Sequence, residues 1–517
     1  MDEWTQFLEQ QGIPRLHEDL HKASSIRASS APPQEEEDTA TYCTIPKKAN
    51  TKQCPFCYSQ VSGGAVTLSD EVGMESRMDV HLAQGAKHIL FQAASKFIDT
   101  RTKGTQGHED SVNRTMKRRK TDADDSKHNS ALVAAVALAK QARCICWDVL
   151  HSKEWRHVVN EWRILYAIAV RAVVFYEAHQ HLLCPDHETI MAWLKALDVA
   201  CMMTVPSQRQ CTQQIIQALC RLGKLHEMYT TTSSLIERSS LSQEEATSEL
   251  FQDETAPNEG KIHRIPRKSL PSLFEFYQNY LKPQVPLVIG DALNDWPALG
   301  NSPENQNHAW SNIGYLKRTA GCRTVPVETG DHYMAENWGQ KLVRFDRFLD
   351  EYILGTNSGD EELAQEHMAY LAQHPLFDQI PELRHDILVP DYCAMIDQHE
   401  VNSSQEIQIN AWFGPKGTVS CLHNDPPHNI LAQVVGWKRV ILIEDKYRDH
   451  LYPYYGVMSN TSPINPKSPD LSQFQKFRGV PIYETVLGPG DMLYIPPRCW
   501  HHIESLTVSF SVSFWWK

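Results

Sequence analysis

Three features of the sequence predict a multidomain chain of α plus β class, an N-terminal helical module followed by an antiparallel barrel or jelly roll. Helical periodicity is dense from Ala131 to about Tyr229, short β-rich runs crowd the region after Ile262, and 517 residues suffice for about three structural units. Hydrophobic residues make up 41% and charged residues 22%, ordinary globular usage that excludes wholesale disorder.

Residues 1–130 are expected to be largely disordered or linker, with short helices. Ala23 to Asp38 is Ser/Ala/Pro-rich and ends in Glu35-Glu36-Glu37-Asp38, and Arg101 to Ser130 is similarly polar, too polar to bury a core. Between them, Val80, Leu82, Ile89, Leu90, Phe91 and Phe97 give Asp79 to Ile98 an amphipathic helical pattern. Residues 131–229 read as an all-α module. Ala131 to Ala142 is Ala- and Leu-rich, Trp162 to His181 carries a wide apolar face, and His187 to Met203 and Thr212 to Met228 follow after short connections. Residues 230–262, rich in Ser, Thr and Glu with Pro257 and Gly260, form the expected linker.

Residues 263–517 change character. Gln408 to Phe413, Ile430 to Val435, Val440 to Ile443, Met492 to Ile495 and Thr507 to Phe514 are strand-like and bounded by Gly414-Pro415, Gly436, Gly488-Pro489-Gly490 and Pro496-Pro497. Many short strands without intervening helices predict the barrel. Helices and a few strands, Leu342 to Ile353 among them, are expected to precede and buttress it.

Fifty Lys+Arg against 63 Asp+Glu give a formal net charge of −13, the opposite of a nucleic-acid binder's footprint, so no direct nucleic-acid partner is expected. The longest apolar run singled out, Ile164 to Tyr176, is interrupted by Arg171, so no membrane partner is expected either. The Met-Asp-Glu-Trp start lacks a basic and an apolar signal region, and 13 scattered cysteines make no disulfide framework. A nuclear and/or cytoplasmic location follows as the expectation.

The sharpest chemical feature is His423-Asn424-Asp425. Residues two apart on a strand share a face, so an imidazole and a carboxylate can meet one metal ion. The tripeptide alone is weak, because His17-Glu18-Asp19 and His108-Glu109-Asp110 repeat the spacing in segments without strand character. The run Gly490 to His501 strengthens it, reading as a turn, a buried strand and a loop that returns His501 toward the barrel mouth. Two His and one carboxylate make the facial triad of non-haem Fe(II) oxygenases, with three positions left open for co-substrate and O2. Zinc accepts the same ligands, and a satisfied core histidine is the plainer reading of His501. His502 is the nearest rival, but neighbours on an extended segment point opposite ways.

Gln408 to Lys438 with Gly488 to Lys517 resembles the JmjC family of Fe(II)- and 2-oxoglutarate-dependent oxygenases, in particular the subgroup called lysine demethylase 8, also described as a protein arginyl hydroxylase. The resemblance covers nearly all of His263 to Lys517. It runs through Pro286 to Ile289, Gly321 to Glu328, Tyr370 to His374, Ile409 to Gly414 and Ser509 to Trp516, and extends more weakly to Trp155 to Ala169. It implies a cupin-type double-stranded β-helix over 263–517, with His423, Asp425 and His501 as catalytic metal ligands. It further implies Lys438 for the distal carboxylate of 2-oxoglutarate, Tyr370, Ser420 and Asn429 as co-substrate hydrogen-bonders, and Trp412 and Trp515 as pocket walls. Glu328 and Tyr333 match the substrate-binding positions, and a carboxylate suits a guanidinium. Cys421, Asn424 and the longer Gly355 to Glu366 segment depart from the family pattern and bear on substrate preference.

The function so implied uses Fe(II), with 2-oxoglutarate and O2 as co-substrates, to hydroxylate an arginine side chain in a basic protein or peptide partner. N-methyl-lysine (histone) demethylation is the alternative within the class. A non-catalytic scaffold or reader acting through the helical module, and a metal-dependent peptidase, are the alternatives outside it. Two further signals carry less: Cys54-Pro-Phe-Cys57 lacks the second pair of a zinc site, and Lys117-Arg118-Arg119-Lys120 is followed by Asp122, Asp124 and Asp125.

Overall fold

The computed structural model describes residues 83–96, 114–180, 185–223, 225, 228, 256–355, 368–395 and 407–517. Cys54, Cys57, Ala23 to Asp38 and the 230–255 stretch lie outside them. The chain divides into two compact units between Leu225 and His226.

The first unit is helical. Residues 83–96 form a helix whose buried stripe is Ala83, Ala86, Leu90 and Ala93, with Ile89 and Phe91 only partly covered. Its Lys87 pairs with Glu161. The next helix, Arg114–Ser152, starts well before the expected Ala131, since Lys and Arg are good helix formers and no Gly or Pro interrupts the stretch. Residues 117–120 therefore lie on a helix. Its Ser130–Ser152 part is long and apolar enough to cross a membrane by length and composition, a run the sequence reading passes over. In the fold Leu132, Ala135, Ala139, Ala142, Cys146 and Leu150 make one buried stripe at helical spacing.

Asn160–Gln180 is buried almost all round between Leu165 and Tyr176. Arg171, the charge inside that run, is satisfied there by the Gln208 carbonyl at 3.2 Å, Gln208 Oε1 at 2.8 Å and the Thr212 hydroxyl at 3.2 Å. His187–Met203 starts on an Asp186 cap that accepts from Thr189 N at 2.7 Å, and Pro206–Leu222 starts on proline at its first turn.

The second unit holds fourteen strands among the described residues: β1 Ile262–Arg264, β2 Arg267–Ser269, β3 Leu287–Gly290, β4 Thr324–Thr329, β5 Gly339–Arg344, β6 Ala369–His374, β7 Gln408–Gly414, β8 Val419–Asn424, β9 His428–Val435, β10 Lys438–Ile443, β11 Ile482–Leu487, β12 Met492–Ile495, β13 Trp500–Ser505 and β14 Ser509–Trp516. They make two facing sheets. The five-stranded sheet runs β1-β11-β10-β13-β8, and the nine-stranded sheet runs β2-β3-β12-β9-β14-β7-β6-β4-β5. Leu342 proves to lie on β5, with helix only from Phe345.

Burial explains the layers. Leu431, Val440, Leu442, Leu493 and Ile495 pack between the sheets, while Phe413, Phe510 and Trp310 pack the outer face of the larger sheet against its helices. Phe413 and Phe510 stack at 4.3 Å between centroids. Trp500, Phe477, Ile441 and Ile443 close the outer face of the smaller sheet. Among the buried polar groups of these strands are Ser420, Asn429, Lys438 and His501, with Asp425 just beyond β8.

Candidate metal centre and co-substrate pocket

The register puts the two histidines side by side. β13 pairs with β8 so that His501 lies directly opposite His423, and β10 brings Leu442 against His501 from the other edge. His501 thus sits on a full strand rather than on the returning loop expected from the sequence. Pairing with both β8 and β10 holds Trp500–Ser505 extended although it lacks a β-branched run. Asp425 follows β8 by one residue, and Pro426-Pro427 end the ladder there. Its carbonyl accepts from Arg498 N at 2.7 Å, which ties the two ligand-bearing segments together.

His423, Asp425 and His501 offer ligand atoms within 4.8 Å of one another, the one such group among the described residues. Each ring donates Nδ1–H to the carbonyl two residues before it, His423 to Cys421 at 2.7 Å and His501 to Cys499 at 3.0 Å. That fixes the tautomer and turns both Nε2 lone pairs inward, as a metal-binding histidine requires. The Nε2 atoms lie 3.8 and 3.5 Å from Asp425 Oδ2. Burial, then the neighbouring His501, pushes His423 down to about 4. Burial opposes ionisation of Asp425, but the His501 and His423 rings beside it outweigh burial and hold the carboxyl below its ordinary value. Two imidazoles and one carboxylate on one side of a point fit a divalent ion. His502 points the other way, opposite Ile441, and burial followed by the Lys467 and Arg439 charges lowers it to about 3.

Deeper in the barrel lies Lys438, four residues along β10 from Leu442 and so about 13 Å of strand from the level of His501. It is 1% exposed, and burial pulls it down to about 7. The Tyr370 hydroxyl is 3.2 Å from Nζ, and no carboxylate pairs with the ammonium among the described residues. Tyr370 hydrogen-bonds Ser420, and its ring faces Trp412 at 6.2 Å. Gly414 makes room for it, since a Cβ there would lie 2.7 Å from the Tyr370 ring. Asn429 Oδ1 and Asn410 Nδ2 are buried without hydrogen-bond partners. Trp412 donates to Ser513 Oγ at 2.9 Å and Trp515 is buried beside Asn429 on the paired strand. A buried cation with no acidic partner among the described residues, and orphaned amides on the larger sheet, suit an anion bearing carboxylates.

At the mouth, Tyr333 sets its ring edge-on to His423 at 6.4 Å between centroids. Glu328 on β4 sits opposite Tyr370 on β6, and burial raises its carboxyl to about 7. Trp338 Nε1 donates to Glu328 at 3.3 Å. The sequence reading misses Trp338, whose only signal is that it follows Glu328 across the β4–β5 hairpin.

A family model described as a cupin-like domain matches residues 272–517. The "Lysine-specific demethylase 8" of Danio rerio is 38% identical over 372 residues, which cover 72% of this chain and 85% of that protein. The "Lysine-specific demethylase JMJ30" of Arabidopsis thaliana is 35% identical over 414 residues, covering 75% and 87%.

The chain belongs to the JmjC oxygenase family.

As a JmjC protein it is a 2-oxoglutarate-dependent dioxygenase acting on protein, which sets aside the non-catalytic scaffold reading. JmjC enzymes use Fe(II) with 2-oxoglutarate, and the donor set above suits both. Similarity also extends to the human "Bifunctional peptidase and (3S)-lysyl hydroxylase JMJD7", 24% identical over 288 residues that cover 48% of this chain and 81% of that protein.

Proposed function

We propose that this JmjC chain hydroxylates an arginine side chain in a basic protein or peptide segment. His423, Asp425 and His501 would hold Fe(II), and Lys438, Tyr370, Ser420 and Asn429 would hold 2-oxoglutarate between the Trp412 and Trp515 walls. The bound metal and co-substrate supply the oxidising chemistry, and the protein supplies orientation and dryness. Lys438 binds and neutralises the far carboxylate. The carbonyls of Cys421 and Cys499 keep the two imidazoles in one tautomer. Tyr333 and Glu328 receive the incoming side chain.

The observation that carries the arginine reading is Glu328. A carboxylate at the mouth, steadied by the Trp338 indole, matches the paired donors of a guanidinium. N-methyl-lysine demethylation is the second reading, favoured by the names of the two demethylase relatives. A nuclear or cytoplasmic location goes with either, as do the free thiols of all nine described cysteines.

Incubation with Fe(II), 2-oxoglutarate and paired arginine- and N-methyl-lysine-centred peptides separates them. The arginine reading predicts gain of one oxygen on arginine, lost in His423→Ala. Formaldehyde release with methyl loss from lysine, and unmodified arginine, would decide for demethylation.

A further inference from the structure

The barrel mouth has a neighbour that the chemistry above leaves unused. Between β10 and β11, the stretch Leu451 to Ile464 forms a loop hung on the strand that carries His423. Ser462 N donates to the Leu422 carbonyl at 2.8 Å, Asn424 N donates to the Asn460 carbonyl at 2.9 Å, and Asn460 Nδ2 returns a bond to the Asn424 carbonyl at 3.1 Å. Thr461 forms a β-bridge with His423 itself. Across the loop, Tyr454 N donates to the Thr461 carbonyl at 3.0 Å, and Leu451 and Ile464 anchor the stems in the outer core. The loop is therefore indexed to the metal-ligand strand.

Its tip breaks the burial rule. Tyr455 is 98% exposed and Tyr454 38%, and Gly456 at φ 71° turns the chain directly after them. Leu451 to Ile464 contains no charged residue. Adjacent large rings on a pinned, uncharged loop mark a contact surface.

We propose that Tyr454 and Tyr455 are a docking platform for the extended polypeptide that flanks the reacting residue, gripping it by stacking and apolar contact rather than by charge. The occupant follows from continuity with the site. An extended chain advances about 3.3 Å per residue, so a segment whose central side chain reaches His423 carries its next few residues across the loop joined to that strand. This inference rests on the protein-oxygenase reading and concerns the flanks, whichever central residue reacts.

The test measures binding and turnover separately. A fluorescent pool of arginine-centred peptides of about 13 residues, with randomised flanks, is compared with an arginine-centred tripeptide by anisotropy on the full chain loaded with Mn(II) and 2-oxoglutarate. Wild type should bind the long pool about tenfold tighter than the tripeptide, and Tyr455→Ala with Tyr454→Ala should erase most of that gain. Tyr455→Phe should keep it, tripeptide binding should not move, and the gain should survive about 1 M NaCl, where screening acts within about 3 Å. No length gain in wild type, an unchanged gain in the double variant, or an equal loss for the tripeptide overturns the platform. The same peptides supplied with Fe(II) and air report on the central residue by mass, so failure of the oxygenase reading shows there and leaves the length comparison standing.

Discussion

Replacing Lys438 by Met should make the co-substrate-free protein more stable while removing its grip on 2-oxoglutarate. The ammonium is 1% exposed, with the Tyr370 hydroxyl at 3.2 Å and no acidic partner among the described residues. Burial brings it from 10.5 to about 7, which at about 1.4 kcal/mol per unit is a burden on the order of 5 kcal/mol, an upper bound on what its removal returns. The sign follows from linkage. The folded lysine gives up its proton at lower pH than the unfolded one, so the burden is complete below about pH 7 and vanishes as pH rises toward the ordinary lysine value. Lys438→Met should therefore raise the denaturation free energy by roughly 2–4 kcal/mol below neutrality, with the gain fading in alkali. Its affinity for 2-oxoglutarate should fall by about 2–5 kcal/mol, roughly 30-fold or more in Kd, because the far carboxylate loses its counter-charge. Wild-type affinity should itself weaken about tenfold per pH unit above about 7, as the empty-site lysine discharges, whereas the variant should be flat. Calorimetric titration of 2-oxoglutarate into Mn(II)-loaded protein across pH, with urea unfolding alongside, reads all three. Binding within threefold of wild type, or no stability gain below neutrality, would refute the reasoning.

His423→Ala and His501→Ala should each lose stoichiometric Co(II) binding, followed by its visible spectrum, while His502→Gln should keep it, since its ring lies on the opposite face; equal losses at 501 and 502 would contradict the assignment. Glu328→Gln should weaken arginine-peptide binding by about 2–5 kcal/mol and leave 2-oxoglutarate affinity within error. In wild type that peptide affinity should fall as pH drops below about 7, where the Glu328 carboxyl takes up its proton, and a pH-independent peptide affinity would remove Glu328 from recognition.

The barrel was legible because its strands are short, apolar and closed by Gly and Pro: Gln408–Gly414, Met492–Ile495 and Ser509–Trp516 stand out at once. β8 and β13 were harder, because Val419–Asn424 and Trp500–Ser505 carry the polar residues the site needs, and function dilutes the strand signal. The spacing of His423 and Asp425 was readable, whereas the alignment of His501 opposite His423 is a property of strand register. Lys438 reads as a surface residue by type, and only three dimensions reveal its burial. Trp338 and the Tyr454–Tyr455 tip have no spacing rule to announce them. In the helical unit, alanines at 83, 86 and 93 carry packing that a search for Ile and Phe assigns elsewhere.

The proposed chemistry requires the barrel to join a metal ion to a dicarboxylate held by a buried lysine. A crystal structure with Mn(II) and the unreactive analogue N-oxalylglycine tests it directly. The expected result is an anomalous peak at ligand distance from His423 Nε2, His501 Nε2 and an Asp425 oxygen, with the far carboxylate of the analogue on Lys438 Nζ and the Tyr370 hydroxyl. Metal bound elsewhere, or an analogue whose carboxylate avoids Lys438, would contradict it.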